Sequence, residues 1–206
     1  MNGNADKKSP RAEEGAERWF RKGIEFLEME KLDEAYSCFR HGIELNPDHP
    51  MLQFSLGQAF DAGLGVERDD SKAVEWYRKA AEQGMMGAMY FLAQKLEFGQ
   101  GVRSDREQAI RWHLKAGEGG LPESQYALGE HYLCQREHVS ENWPEAARWF
   151  RMAAEQGHSN AQLRLAGMFE DGLGVPQDLN IARFWYRKAA AQGSVQAQAS
   201  LEGLKS

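Results

Sequence analysis

Apolar residues along most of the chain recur three and four positions apart, the spacing that gathers them on one face of a helix. Phe54, Leu56, Ala59 and Phe60 form such a stripe; the turn Gly63-Leu64-Gly65-Val66 interrupts it, and a second helix follows that ends in AVEWYRKAAEQG. This second helix opens at Asp69, whose carboxylate can accept bonds from the first free N–H groups, and closes at Gly84, which enters the left-handed region at low cost. No stretch alternates convincingly with period two. The pattern predicts an all-α chain built from helical hairpins.

The hairpin is copied. Trp76, Trp112, Trp149 and Trp185 stand 36, 37 and 36 residues apart, and the columns Ala73, Ala109, Ala146, Ala182 and Gly84, Gly120, Gly157, Gly193 keep the same intervals. A Leu with a small residue after it (Leu56-Gly57, Leu92-Ala93, Leu128-Gly129, Leu165-Ala166) and a bulky residue four positions past that Leu (Phe60, Leu96, Tyr132, Phe169) repeat likewise. Asp105, Asn142 and Asp178 take the place of Asp69, and Gln108 and Glu145 complete the pattern of a capping box. One hairpin cannot bury its own apolar face, whereas stacked hairpins can, so the expected architecture is an α-solenoid. The indoles then fill space between hairpins and the alanines let helices approach.

The order Leu-Gly, bulky residue, Gly-x-Gly-Val, Asp, Ala, Trp-Tyr, Lys-Ala-Ala-Glu-Gln-Gly resembles the Sel-1-like repeat, over residues 50–84, 85–120, 121–157 and 158–193. The segment before them, read as one unit over 13–49, resembles a tetratricopeptide repeat through Trp19, Gly23, Phe26, Ala35, Phe39 and Pro47. Residues 194–206 echo the start of a first helix and are expected to cap the last hairpin, and residues 1–12 are read as a disordered polar tail. The resemblance implies a right-handed superhelix of antiparallel helix pairs with the first helices on its concave face. It also implies a non-catalytic scaffold or adaptor for other proteins. The third copy departs from the pattern, with Gln135–Val139 in place of Gly-x-Gly-Val, a variable turn that is either drift or a contact point.

Carrying the tetratricopeptide frame through all copies places Phe20, Phe54, Tyr90, Tyr126 and Leu163 in one column of the concave face. Ile24, Gln58, Gln94, Glu130 and Gly167 form the next, and Leu27, Asp61, Glu97, Leu133 and Glu170 a third. The expected ligand is an extended peptide, neutral or basic, laid on the aromatic column and bonded by Gln58 and Gln94. The alternative is that the first column packs between neighbouring helices and the carboxylates form a solvated face.

Composition narrows the partner. A formal net charge of −6 disfavours nucleic acid and anionic membranes, both of which attract basic patches. No apolar run reaches the roughly 20 residues of a membrane span, and the start of the chain lacks the apolar core of a secretory signal, so a cytoplasmic location is expected. Cys38 and Cys134 are too far apart for a disulfide framework. His131, Cys134 and His138 come nearest to a metal cluster but lack a full zinc set, and neither a metal nor any other cofactor is expected. The Gly-x-Gly turns follow no strand and precede no P-loop lysine, so they are not phosphate cradles. Some cysteine-rich relatives of the repeat have been linked to β-lactam-like compounds. They carry paired cysteines in each repeat, absent here, which leaves a hydrolase, a small-ligand binder or a regulatory subunit as the alternatives to a scaffold.

Overall fold

The computed structural model describes residues 9–133 and 142–204; the irregular turn Gln135–Val139, with Cys134 and His138, lies outside them. Among the described residues the regular structure is helical throughout: α1 (Pro10–Glu28), α2 (Leu32–Leu45), α3 (Pro50–Ala62), α4 (Asp70–Glu82), α5 (Met86–Phe98), α6 (Arg106–Glu118), α7 (Pro122–Leu133), α8 (Trp143–Glu155), α9 (Ser159–Asp171), α10 (Leu179–Ala191) and α11 (Val195–Gly203). The chain divides into two compact units, Met1–Trp112 and His113–Ser206. Helix α1 takes in the last three residues of the segment read as a tail, because Ser9 accepts the Ala12 N–H and Pro10 fits the first helical position.

In the 1–112 unit, α1 pairs with α2 and α3 with α4, while α2–α3 and α4–α5 contacts join successive pairs. In the 113–206 unit, α7 pairs with α8 and α9 with α10, joined by α8–α9, and α11 covers α10. The repeated columns are the cores. Leu56, Leu92, Leu128 and Leu165 are buried, as are Ala73, Ala109, Ala146 and Ala182; each buried leucine contributes roughly 1.5–3 kcal/mol. Trp149 and Trp185 are buried, and Trp76 packs against the α1–α2 core.

The aspartate and asparagine caps form as the sequence implies: Asp69 accepts from Lys72 N at 3.0 Å, Asp105 from Gln108 N at 2.8 Å and Asn142 from Glu145 N at 3.2 Å. The reciprocal half of the capping boxes goes elsewhere. Gln108 donates to the Asp105 side chain and Glu145 accepts from Arg148, while the Asp105 N–H bonds the Leu96 carbonyl instead.

The Gly-x-Gly turns have a physical reason that their pattern alone does not reveal. The first glycine of each, Gly63, Gly99 and Gly172, ends a helix in the left-handed region. The second lies flat on the preceding hairpin: a Cβ at Gly65 would fall 2.1 Å from the Leu32 carbonyl oxygen, and one at Gly101 would fall 2.2 Å from the Asp70 carbonyl carbon. Gly174 meets the Trp143 backbone in the same way. Backbone touches backbone there, so no side chain fits.

Candidate functional site

In the 1–112 unit the expected binding positions lie on α1, α3 and α5. Phe20 packs toward Phe39 and His49, with ring centroids 6.3 and 6.0 Å away, and Ile24 and Leu27 pack on the α1–α2 core. Phe54 sits 5.9 Å from both Tyr77 and Phe91. These side chains are half-buried and hold the helices together at least as much as they face outward. Gln58, by contrast, lines a cavity of about 290 Å³ whose other walls include Leu27, Tyr36, Ala59, Asp61 and Phe91. On α5, Gln94 donates to the Tyr90 hydroxyl at 2.8 Å, and Glu97 is exposed.

Asp61 is held from behind. Lys95, only 4% exposed, places its ammonium 2.5 Å from Asp61 Oδ1 and 2.7 Å from Asp70 Oδ1, with Gln100 Oε1 at 3.2 Å. The Tyr77 hydroxyl donates to Asp61 Oδ2 at 3.1 Å. Burial alone would pull the Lys95 ammonium down, but its bonds to the two carboxylates outweigh this and raise its pKa. The Lys95 hydrogen bond holds Asp70 below the usual carboxylate range, and burial, then the Asp61 charge, pushes the Tyr77 phenol up. A lone buried ammonium would be costly; this one is matched by two carboxylates and an amide oxygen.

In the 113–206 unit the corresponding helices are α7, α9 and α11. Tyr126 stacks on His158 at 4.8 Å and leans on Phe150 at 5.7 Å. Glu130 pairs with Arg164: Nη2 donates to Oε2 at 3.0 Å, and Nε lies 2.8 Å from Oε1 as a charge contact. Glu170 accepts the Tyr186 hydroxyl at 2.6 Å; burial, with that bond next, pushes this phenol up to about 12. Tyr126, Leu133, Leu163 and Gly167 line a cavity of about 730 Å³.

Four matches to the model of the Sel1 repeat, over residues 50–85, 87–121, 122–158 and 159–194, cover more than half of the sequence. The chain belongs to the Sel1 repeat family. Ahead of the Sel1 repeats, residues 16–49 match a tetratricopeptide repeat. No curated protein matches the chain. Among solved structures it is similar to a Sel1 repeat protein from Oxalobacter formigenes, with 33% identity and a TM-score of 0.83 over 94% of this chain and 56% of that one. It is also similar to c5321, a protective antigen present in uropathogenic Escherichia coli strains, with 26% identity and a TM-score of 0.59 over 97% of this chain and 51% of that one. The chain thus spans about half the length of these two relatives. YrrB, described as a tetratricopeptide protein with an unusual peptide-binding site, shares the fold at 16% identity and a TM-score of 0.55, over 98% of this chain and all of the other.

Two features of these Sel1 hairpins escaped the reading of the motifs. Lys95 stands in the column of Ala59, His131 and Met168, and a cation at a position that is otherwise small, apolar or weakly basic was the available signal. The second is a glutamine relay. Gln53 donates to the Pro47 carbonyl and accepts from Gln83, Gln125 donates to the Gly117 carbonyl and accepts from Gln156, and Gln162 donates to the Ala154 carbonyl and accepts from Gln192. The Gln of each Glu-Gln-Gly ending (Ala-Gln-Gly in the last) therefore bonds a buried first-helix amide, and its interval from that partner is visible only once the hairpin is folded. Among the described residues no group of three His, Cys, Asp or Glu side chains is placed to hold a metal, and no helix is long and apolar enough to cross a membrane.

Proposed function

We propose that this chain is a protein-interaction scaffold without chemistry of its own, which holds an extended segment of a partner protein on its first-helix faces. The observation that carries the reading is the α3–α5 surface. There Gln58 lines an apolar-walled cavity large enough for one bulky side chain, and Tyr90, Gln94 and Glu97 follow on the next first helix. The Gln58 amide can bond the backbone of an extended chain while the cavity takes a side chain. Tyr90 adds rigid contact area at a small entropic cost. Asp61 enters as a wall whose charge Lys95 offsets, which suits a neutral residue over the cavity, and Glu97 favours a basic one at the rim. Membership of the Sel1 family, and the peptide-binding site named for YrrB, are consistent with this role.

The test is affinity capture from the source cell's lysate with the wild type beside the triple variant Tyr90→Ala, Tyr126→Ala, Glu97→Lys, at low and high salt. A partner held by the wild type and lost by the variant, with the melting temperature showing that the variant is folded, is the expected result. A partner retained by the folded variant would move the site off these helices.

A further inference from the structure

Ile24, Gln58, Gln94 and Glu130 occupy one position of successive first helices, and in α9 that position is Gly167. A glycine inside a helix weakens it, so it calls for a reason. At three other first-helix glycines the core supplies one: a Cβ at Gly23 would fall 2.3 Å from Phe39, at Gly57 2.6 Å from Tyr77, and at Gly129 2.4 Å from Phe150. At Gly167 a Cβ would meet only the Tyr186 hydroxyl, at an ordinary 3.6 Å. Packing does not require this glycine. What its missing side chain leaves open is the cavity of about 730 Å³ between α7, α9 and α11, within the range of pockets that enclose ligands.

We propose that this cavity is a socket for a cationic side chain, arginine or lysine, presented by the bound segment of a partner protein; the proposal rests on the scaffold reading above. Its walls suit such a side chain. Tyr126, Trp143 and Tyr186 bring aromatic rings to it, and Leu163, Met168 and Leu173 offer apolar surface for a long aliphatic stem. Its charges also suit a cation. The positive group in the lining, Arg164, is already paired with Glu130, while Asp171 lines the cavity and Glu170 is bonded to the Tyr186 hydroxyl. Glu130 thus offsets Arg164, which leaves Asp171 as the net charge of the lining, with Glu170 next to it in the chain. An anionic side chain would be repelled by Asp171 and Glu170. A purely apolar one would cover Asn160, Asp171, Gln196 and Ser200 without replacing their water.

The experiment titrates the ¹⁵N-labelled 206-residue chain with three small probes: N-acetylarginine amide, N-acetylnorleucine amide and N-acetylglutamate amide. The expected result is that the arginine probe shifts the amides of Gly167, Asp171 and Tyr186 and binds at least fivefold tighter than norleucine. The double variant Glu170→Gln, Asp171→Asn should shrink that preference below twofold. Gly167→Gln, which places there the residue found at Gln58 and Gln94, should abolish binding without lowering the melting temperature. Equal binding of norleucine, tighter binding of the glutamate probe, or no shift with any probe would each overturn the proposal. Failure here with a successful partner capture removes only the socket, whereas arginine binding without any captured partner removes the scaffold reading and, with it, a partner protein as the source of the cationic side chain.

Discussion

The Lys95 ammonium lies 2.5 Å from Asp61 and 2.7 Å from Asp70, so one nearly buried cation ties the end of α3 and the start of α4 to α5. Cutting such a tie leaves charges without partners, which costs more than the tie itself contributes. Lys95→Met should destabilise the chain by about 3 kcal/mol, toward the lower end of the range for buried pairs because both carboxylates keep some contact with water. Asp61→Asn should cost roughly 2 kcal/mol, and the double variant should fall short of the sum by about 1 kcal/mol or more. Urea titrations of the four proteins give the coupling directly. Simple additivity would mean that the two groups do not interact in solution.

The glycines of the Sel1 motif should separate by their surroundings. Gly84 and Gly101 both have positive φ, +92° and +69°, yet nothing lies within 4 Å of a Cβ at Gly84 while the Asp70–Ser71 peptide lies against one at Gly101. Gly84→Ala should therefore cost only the backbone strain, about 1–2 kcal/mol. Gly101→Ala must also push two hairpins apart, and a loss of about 3 kcal/mol or more is expected. Thermal melts of both variants check the order. Equal losses would show that conformation alone selects these glycines.

Histidine protonation sets the pH response. Burial depresses the pKa of His113 to about 4 and, in direction, that of His158 as well; His158 also accepts the Ala161 N–H that starts α9. Below pH 6.5 the unfolded chain binds protons at these rings and the folded chain does not, so stability is full above about 6.5 and falls as the pH drops toward 4. His113 alone should account for about 3 kcal/mol of that fall. Urea midpoints measured between pH 7.5 and 5.5 test this, because the depressed carboxylates Asp70 and Glu17 lose their stabilising contribution only as the pH approaches their ordinary values of 3.8 and 4.5. His113→Gln should flatten the slope. An unchanged slope in that variant would assign the response to other groups.

The repeat period was enough to place the helices, their caps, the buried Leu and Ala columns and a Trp column that is buried at Trp149 and Trp185 and half-buried at Trp76 and Trp112, because each copy repeats one packing solution and four copies average out the noise. The first-helix faces were less legible. Phe20 and Phe54 read as outward aromatics, but the frame that places them cannot show that Phe39, His49, Tyr77 and Phe91 converge on them from other helices. Gly167 read as one more member of a column, and its meaning came only from the empty space in front of it. Lys95 was hidden for the opposite reason. Its partners lie 34 and 25 residues away, and no local pattern connects them.

The central claim is that partners are held on the first-helix faces. The most direct measurement is site-specific photo-crosslinking inside the source cell, with a benzophenone side chain placed at Tyr90 or Gln94 on α5 and, separately, at Glu75 or Lys79 on the exposed side of α4. A discrete protein adduct is expected from the α5 positions and none from α4. Adducts from α4 alone would contradict it.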